Sequence, residues 1–318
     1  MKIGHQCFLK TAETLNMHKT AEQLYLSQQA VSAHITRLEK EYNTLLFSRK
    51  PHLQLTPAGE ALLKALTEIS IIEKNLHNTI KSAEANEVKS IRIGMPRYRA
   101  SIVLQESLPL FFDSFPQVCI DTVYADTKES EKLLLKGEID LALGINASKH
   151  EDILATFINK EQNFLVVSKD LLNQYYENSE LQTFEDDGIS LDALSKLPFI
   201  FTSAGSSLML FLRTYLQAKQ LQLRTILSVT DAIVQIKMAK LNYGAFICSD
   251  FIIGSNVFVE MNKDKSLLVI PILDFPLTNT VEIIHHRHLY MSRPMKKLVE
   301  VLMLTMHNDR IVKHEKGL

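Results

Sequence analysis

Gln28, Gln29, Ser32, Thr36 and Arg37 recur at spacings that bring them to one side of a helix. Their side chains are short or forked hydrogen bonders. Gln can pair with an adenine edge, Ser and Thr can bond to several bases, and Arg can grip guanine or phosphate. His18 and His34 flank this set, and Arg49 and Lys50 add cations a short distance on. The chemistry is that of reading DNA from a helix in the major groove. A second group of polar residues follows the apolar runs after residue 90: Arg97, Tyr98, Arg99, Ser101, Thr127, Asn146, Thr202, Ser203, Ser206 and Thr230. Arginines and hydroxyls at strand ends suit a small anionic ligand, although Arg97 or Arg99 could equally lie on a solvated rim and the serines could simply cap a helix.

The first group needs two helices in a fixed crossing. Ala21 and Leu24 share a face of one helix, with a small residue where the second must approach. Ser27 suits the N-cap of the second, whose Val31, Ile35 and Leu38 point inward. Residues 3–15 predict a preceding helix with Ile3, Phe8, Ala12 and Leu15 as its inner face. Leu46, Phe47, Leu53 and Leu55 around Arg49, Lys50, Pro51 and His52 predict a two-stranded wing with a basic tip. Thr56 and Pro57 then start a helix that nothing breaks before about Asn86. Leu62, Leu66, Ile69, Ile72, Leu76, Ile80 and Ala83 recur on it at a mean step near 3.5, a stripe that predicts homodimerisation through residues 57–86. On this reading, Glu at Leu66 and Ile69 would break the dimer.

The run Ala21-x-x-Leu24-x-Leu26-Ser27-Gln28-x-Ala30-Val31-Ser32-x-x-Ile35-x-x-Leu38-Glu39, followed by Leu46-Phe47-x-Arg49 and Leu55-Thr56-Pro57-Ala58-Gly59, resembles the LysR-type transcriptional regulators. The resemblance extends over essentially the whole chain. Ala33 and Thr36 stand where basic residues are frequent in that family. Asn43 replaces a usual helix-ending Gly and can adopt the same left-handed conformation. The resemblance implies a winged helix-turn-helix domain at 1–56, a linker and dimerisation helix at 57–89, an effector-binding domain at 90–306 and a tail at 307–318. The fold class is then α/β with an N-terminal all-α winged-helix domain, joined by a long linker helix to a two-lobed effector domain similar to periplasmic binding proteins. It also implies an inverted-repeat operator in double-stranded DNA, a small-molecule effector, a homotetramer built as a dimer of dimers, and RNA polymerase as a further partner.

The texture after Ser90 fits that layout. Apolar runs at 91–95, 118–124 and 139–145 alternate with helical stretches near 101–114 and 128–136, which predicts a parallel βαβαβ unit. Runs at 164–168, 198–202, 225–229 and 245–248, with helices near 206–219 and 231–241, form a second set. Strands at 267–272 and 281–286 and a helix near 292–306 follow. One lobe is expected at about 90–163 and 268–306, the other at about 164–267. Ligands of such sheets lie beyond the carboxyl ends of the strands.

Composition excludes several classes. The chain has 318 residues and a formal net charge of −1. Residues 1–90 hold 11 Lys and Arg against 9 Asp and Glu, and the remainder 24 against 27, so a polycationic non-specific binder is disfavoured. Cys7, Cys119 and Cys248 lie apart among apolar neighbours and are expected to be buried thiols, with no cofactor and no metal. His285, His286 and His288 lack a completing ligand nearby. No GxSxG, HExxH, GxGxxG or GxxxxGK[ST] motif supports an enzyme, and Asp126 and Asp231 serve as readily as helix caps as acid/base groups. The first 25 residues lack a signal-peptide core and no apolar run could span a bilayer, so a cytoplasmic location and no membrane partner are expected. An α/β solute-binding protein or enzyme whose N-terminal helices serve oligomerisation is the alternative. A solute-binding protein would explain the α/β halves but not residues 1–86, and it would need an export signal.

Overall fold

The computed structural model describes residues 1–49, 52–85, 90–202, 207–275 and 278–307. Lys50, Ser203, Ser206 and the tail from residue 308 lie outside them. The chain divides into two compact units, the first holding residues 1–88 and the second most of the rest.

In the first unit α1 (Ile3–Thr14), α2 (Met17–Leu24) and α3 (Gln28–Glu41) enclose a core of Cys7, Phe8, Ala21, Val31, Ile35 and Leu38. The Asn16 side chain caps α2 by accepting from the His18 and Lys19 N–H groups at 2.9 and 3.1 Å. Ser27 Oγ caps α3 by accepting from Ala30 N–H at 3.1 Å. Asn43 takes φ +52°, the left-handed residue that ends α3. The inner face of α1 agrees with expectation at Phe8, which is buried, and at Ala12, which packs on the core, and differs at its ends. Ile3 and Leu15 are exposed, whereas Cys7, Phe8 and Thr11 are buried. Leu15 is the left-handed C-cap of α1, so its side chain leaves the helical register.

The wing is β1 (Phe47–Ser48) paired antiparallel with β2 (Gln54–Leu55). Phe47 packs on Phe8 with ring centroids 5.3 Å apart. Glu39, buried at the end of α3, anchors the wing by accepting from Leu46 N–H and Phe47 N–H at 3.0 and 3.4 Å. Helix α4 (Pro57–Ala85) starts where Thr56 Oγ1 accepts from Gly59 N–H at 3.0 Å. Its stripe divides in two. Leu66 is 1 % exposed in the winged-helix core, while Ile69, Ile72 and Leu76 are 43, 48 and 56 % exposed. Leu66 therefore belongs to the core and cannot serve as a dimer contact.

In the second unit β3 (Ser90–Met95) pairs parallel with β4 (Cys119–Tyr124) and β5 (Leu141–Ile145). Helices α5 (Arg97–Phe112), α6 (Thr127–Leu135) and α14 (Arg293–His307) accompany them. β5 is buried along its whole length, as a covered parallel strand should be. Strand β6 runs from Ile153 to Ser168, and β11 from Thr278 to His286. The sheet order is β10-β6-β11-β5-β3-β4, with β10 being Leu267–Pro271, and β9 (Phe246–Ser249) also pairs with β6. β7 (Pro198–Phe201) and β8 (Arg224–Ser228) form a parallel pair bridged to Ala245. Helices α7 (Lys169–Tyr175), α8 (Asn178–Asp187), α9 (Leu191–Leu194), α10 (Ser207–Ala218), α11 (Ala232–Lys240), α12 (Asp250–Ile253) and α13 (Asn256–Met261) complete it. Helix α5 begins at Arg97 rather than near 101, so Arg97, Tyr98, Arg99 and Ser101 lie in helical turns and not in a loop.

Candidate functional site

The first site is the outer face of α3. Gln29, Ser32, Ala33, Thr36, Arg37 and Lys40 line one shallow concavity, at helical steps of three and four. Gln28 is exposed beside it and His34 is half-buried. His18 stands on α2, exposed, with Nε2 3.4 Å from Glu22 Oε1. Arg49 lies at the end of the wing, 3.8 Å from Glu39 Oε2 and mostly exposed. Lys40 was not anticipated. It continues the i, i+3, i+4 series one turn beyond Arg37, which is the signal that could have found it.

The second site is a cavity of about 340 Å³ at the carboxyl ends of β3, β4, β5, β7 and β9. Of the anticipated residues Arg97, Tyr98, Thr127, Thr202 and Thr230 line it. Arg97 is exposed at the mouth, its guanidinium 4.4 Å from the Tyr124 ring centroid. The hydroxyl of Thr127 is occupied within the fold, donating to Ile145 O and accepting from Ile145 N–H at 3.2 and 2.9 Å.

Four expectations need correction. Arg99 does not line the cavity: it is fully buried and pairs with Glu161 through Nη1–Oε1 at 2.7 Å and Nη2–Oε2 at 2.5 Å. Burial opposes its charge, but the facing carboxylate outweighs burial and holds Arg99 more firmly protonated than usual. The strongest argument for an anion inside the cavity goes with it. Ser101 is exposed and donates to Tyr98 O at 2.8 Å, closing its own helical turn. Asn146 lies outside the cavity with φ +52° and supports it indirectly, donating to Asn279 Oδ1 at 3.1 Å. Asn279 in turn donates to Asn163 Oδ1 at 3.3 Å, and both line the cavity. Cys119, expected to be buried, is exposed.

Asp126 and Asp231 are helix caps. Asp126 Oδ1 accepts from Glu129 N–H at 2.9 Å, and Asp231 Oδ1 from Ile233 and Val234 N–H at 2.8 and 3.3 Å. His286 is buried, and its Nδ1 accepts from His288 N–H at 3.2 Å. Among the described residues no group of three or more His, Cys, Asp or Glu could hold a metal ion.

Residues missed in the sequence are Tyr124, Asn163, Gln235, Ser249 and Asn279. Gln235 carried a usable signal, because it shares the apolar face of α11 with Ile236 and Ala239.

Behind the cavity, Asp250 Oδ2 accepts from Gln162 N–H at 3.0 Å, next to the Arg99–Glu161 pair. Burial, reinforced by the charge of Glu161, pushes the Asp250 carboxyl up to about 6, against the opposing hydrogen bond and Arg99. Its ordinary value is 3.8, so between about pH 4 and 6 the folded chain binds more protons than the unfolded one. Stability must then fall as pH rises through that window and stay low above it. Asp250→Asn keeps the acceptor and removes the charge. It should raise stability at pH 8 by on the order of 1–2 kcal/mol and leave pH 3.5, below both values, nearly unchanged. Urea midpoints at the two pH values check this, and an equal gain at both would contradict it.

The winged helix-turn-helix thus presents a polar outer face, and the α/β unit carries a cavity at its strand ends. The sequence matches the bacterial regulatory helix-turn-helix protein, lysR family, over residues 5–60, and the LysR substrate binding domain over 84–305. The chain belongs to the LysR family of transcriptional regulators. As a member it is a DNA-binding regulator modulated by a small-molecule effector, and not an enzyme. It is 24% identical over 299 residues to the HTH-type transcriptional regulator YtlI of Bacillus subtilis (strain 168), covering 92% of this chain and 91% of that one. Its fold is like that of ArgP from Mycobacterium tuberculosis (TM-score 0.65, 16% identity, 96% and 97% of the two chains). It is also like full-length CbnR complexed with its target DNA (TM-score 0.55, 17% identity, 96% and 100%). No helix of the described residues is long and apolar enough to cross a membrane.

Proposed function

We propose that α3 reads an inverted-repeat operator through Gln28, Gln29, Ser32 and Thr36, with Arg37, Lys40, Arg49 and His18 on the phosphates. The observation carrying this reading is the single concave face formed by Gln29, Ser32, Ala33, Thr36, Arg37 and Lys40. Gln29→Ala should change base preference at one half-site position, by about 1–3 kcal/mol of discrimination. Arg37→Ala should weaken binding to all sequences and lower the salt slope by about 1. Fluorescence anisotropy on a selected operator and its single-base variants, at several salt concentrations, separates the two. An unchanged base preference in Gln29→Ala would put the reading face elsewhere.

The outward residues Ile69, Ile72 and Leu76 step by three and four along α4, and an exposed stripe of this kind is stable in water when a second copy covers it. We assign it to homodimerisation, which sets two recognition helices for a two-fold operator. Ile72→Glu should halve the mass seen by sedimentation and reduce operator affinity at least tenfold, with the winged helix still folded. A dimer that survives both Ile72→Glu and Leu76→Glu would locate the interface elsewhere. Two such dimers pair into a tetramer on DNA, working in the cytoplasm. The effector occupies the cavity lined by Arg97, Tyr98, Thr202 and Thr230, and its differential affinity for two arrangements of the lobes shifts the operator contacts or a further contact to RNA polymerase.

A further inference from the structure

The walls of the effector cavity are unequal in charge and burial. Its charged lining residues, Arg97 and Asp126, are both exposed. Asp126 is engaged as the α6 cap and Asp231 as the α11 cap, so two of the helix N-termini near the cavity already have their own anions. Arg99 is neutralised by Glu161. The first turn of α5 has no side-chain cap and stands beside Arg97 at the mouth.

Deeper in, the polar groups are uncharged. Gln235 is 6 % exposed and Ser249 is 5 % exposed, and both line the cavity. Among the described residues neither side chain has a hydrogen-bond partner. Ser249 precedes α12 without capping it, and Gln235 takes part only through its backbone N–H, which donates to Asp231 O. The polar atoms of neither side chain are among those sealed from solvent, so both open on the cavity, where a charge facing only an amide and a hydroxyl would lose its hydration without compensation.

We infer that Gln235 and Ser249 form a subsite for an uncharged group presenting a donor next to an acceptor, such as an amide, a lactam or a hydroxylated carbon. The effector that carries it bears at most one negative charge, held at the mouth by Arg97 and the start of α5. Among the described lining residues Arg97 is the one cation, so a dicarboxylate or polyphosphate would leave negative charge without a partner there. This inference depends on the cavity being the effector site, as proposed above.

The test uses the full-length protein and a bacterial small-molecule extract separated by ion exchange into cationic, neutral, singly anionic and multiply anionic pools. Thermal stabilisation by each pool is measured for the wild type, Gln235→Leu and Ala232→Trp, the last chosen to fill the cavity. The expected result is stabilisation by the neutral or singly anionic pool, abolished in Ala232→Trp and needing roughly tenfold more of the pool in Gln235→Leu. Stabilisation by the multiply anionic or cationic pool that Ala232→Trp abolishes would overturn the ligand class and leave the cavity as the site. So would an unchanged response of Gln235→Leu. A response that Ala232→Trp retains, or no response to any pool, would instead overturn the cavity as the effector site.

Discussion

Arg99→Leu is expected to destabilise the second unit by about 3–5 kcal/mol, a large part of the stability of an ordinary domain. Arg99 is the largest fully buried side chain among the described residues, and its partner Glu161 is 1 % exposed. Removing the guanidinium leaves that carboxylate buried, with Asp250 as a further negative neighbour. The sign is therefore set by the uncompensated charge and not by lost packing. Two controls separate this from a ligand-binding role. Arg99→Leu combined with Glu161→Leu should be less destabilised than Arg99→Leu alone, because no charge remains buried. Arg97→Ala should leave the urea midpoint within about 0.5 kcal/mol, as for other surface changes. If Arg99→Leu were as stable as the wild type in urea and lost only its metabolite response, Arg99 would be a ligand contact after all.

Gly59→Ala should damage the first unit as severely. A Cβ there would stand 2.1 Å from Leu46 O and 2.9 Å from Leu55 Cδ2. Leu46 O belongs to backbone that also accepts from Thr56 N–H at 3.1 Å, so it cannot yield without breaking the join between wing and linker helix. Alanine improves helix propensity by about 1 kcal/mol, but the overlap costs about 3 kcal/mol or more, and the overlap wins. Operator binding should be lost while the cavity's response to metabolites persists. A Gly59→Ala protein that melts higher than the wild type would show that propensity, and not close approach, governs this position.

The contrast between these two sites shows what could be read before the structure. Gly59 sits inside a local pattern: Thr56 caps, Pro57 opens the helix, and the apolar period begins. Such signals act within a few residues, and so the helix-turn-helix, its caps and the left-handed Asn43 were legible. Arg99 and Glu161 are 62 residues apart in the chain, on α5 and β6, and only the folded arrangement brings their side chains together. Nothing in the local sequence distinguishes Arg99 from Arg97, which reaches solvent. The same limit hid the first half of β6. Ile153–Lys160 mixes buried Ile153 and Ile158 with exposed Leu154, Ala155 and Phe157, so its apolar residues do not follow a strand's period of two. Helices α7 and α8 were overlooked because their surfaces are polar, although Ser168 caps the first by accepting from Leu171 N–H at 3.2 Å. Along α4, period alone could not tell that Leu66 faces the winged-helix core and Ile69 faces outward. The cavity was anticipated at strand ends and was found there. Its two unpartnered buried groups, Gln235 and Ser249, were visible only once burial was known.

The most direct measurement is selection of bound duplexes from a random DNA library by the full-length protein, with and without a metabolite pool. The account predicts enrichment of an inverted-repeat motif whose affinity or footprint shifts when the pool is present. The base preference at one half-site position should change in Gln29→Ala, and the shift should vanish in Ala232→Trp. Failure to enrich any motif, or a motif indifferent to both substitutions and to the pool, would contradict the assignment of α3 as the reading element and of the cavity as its control.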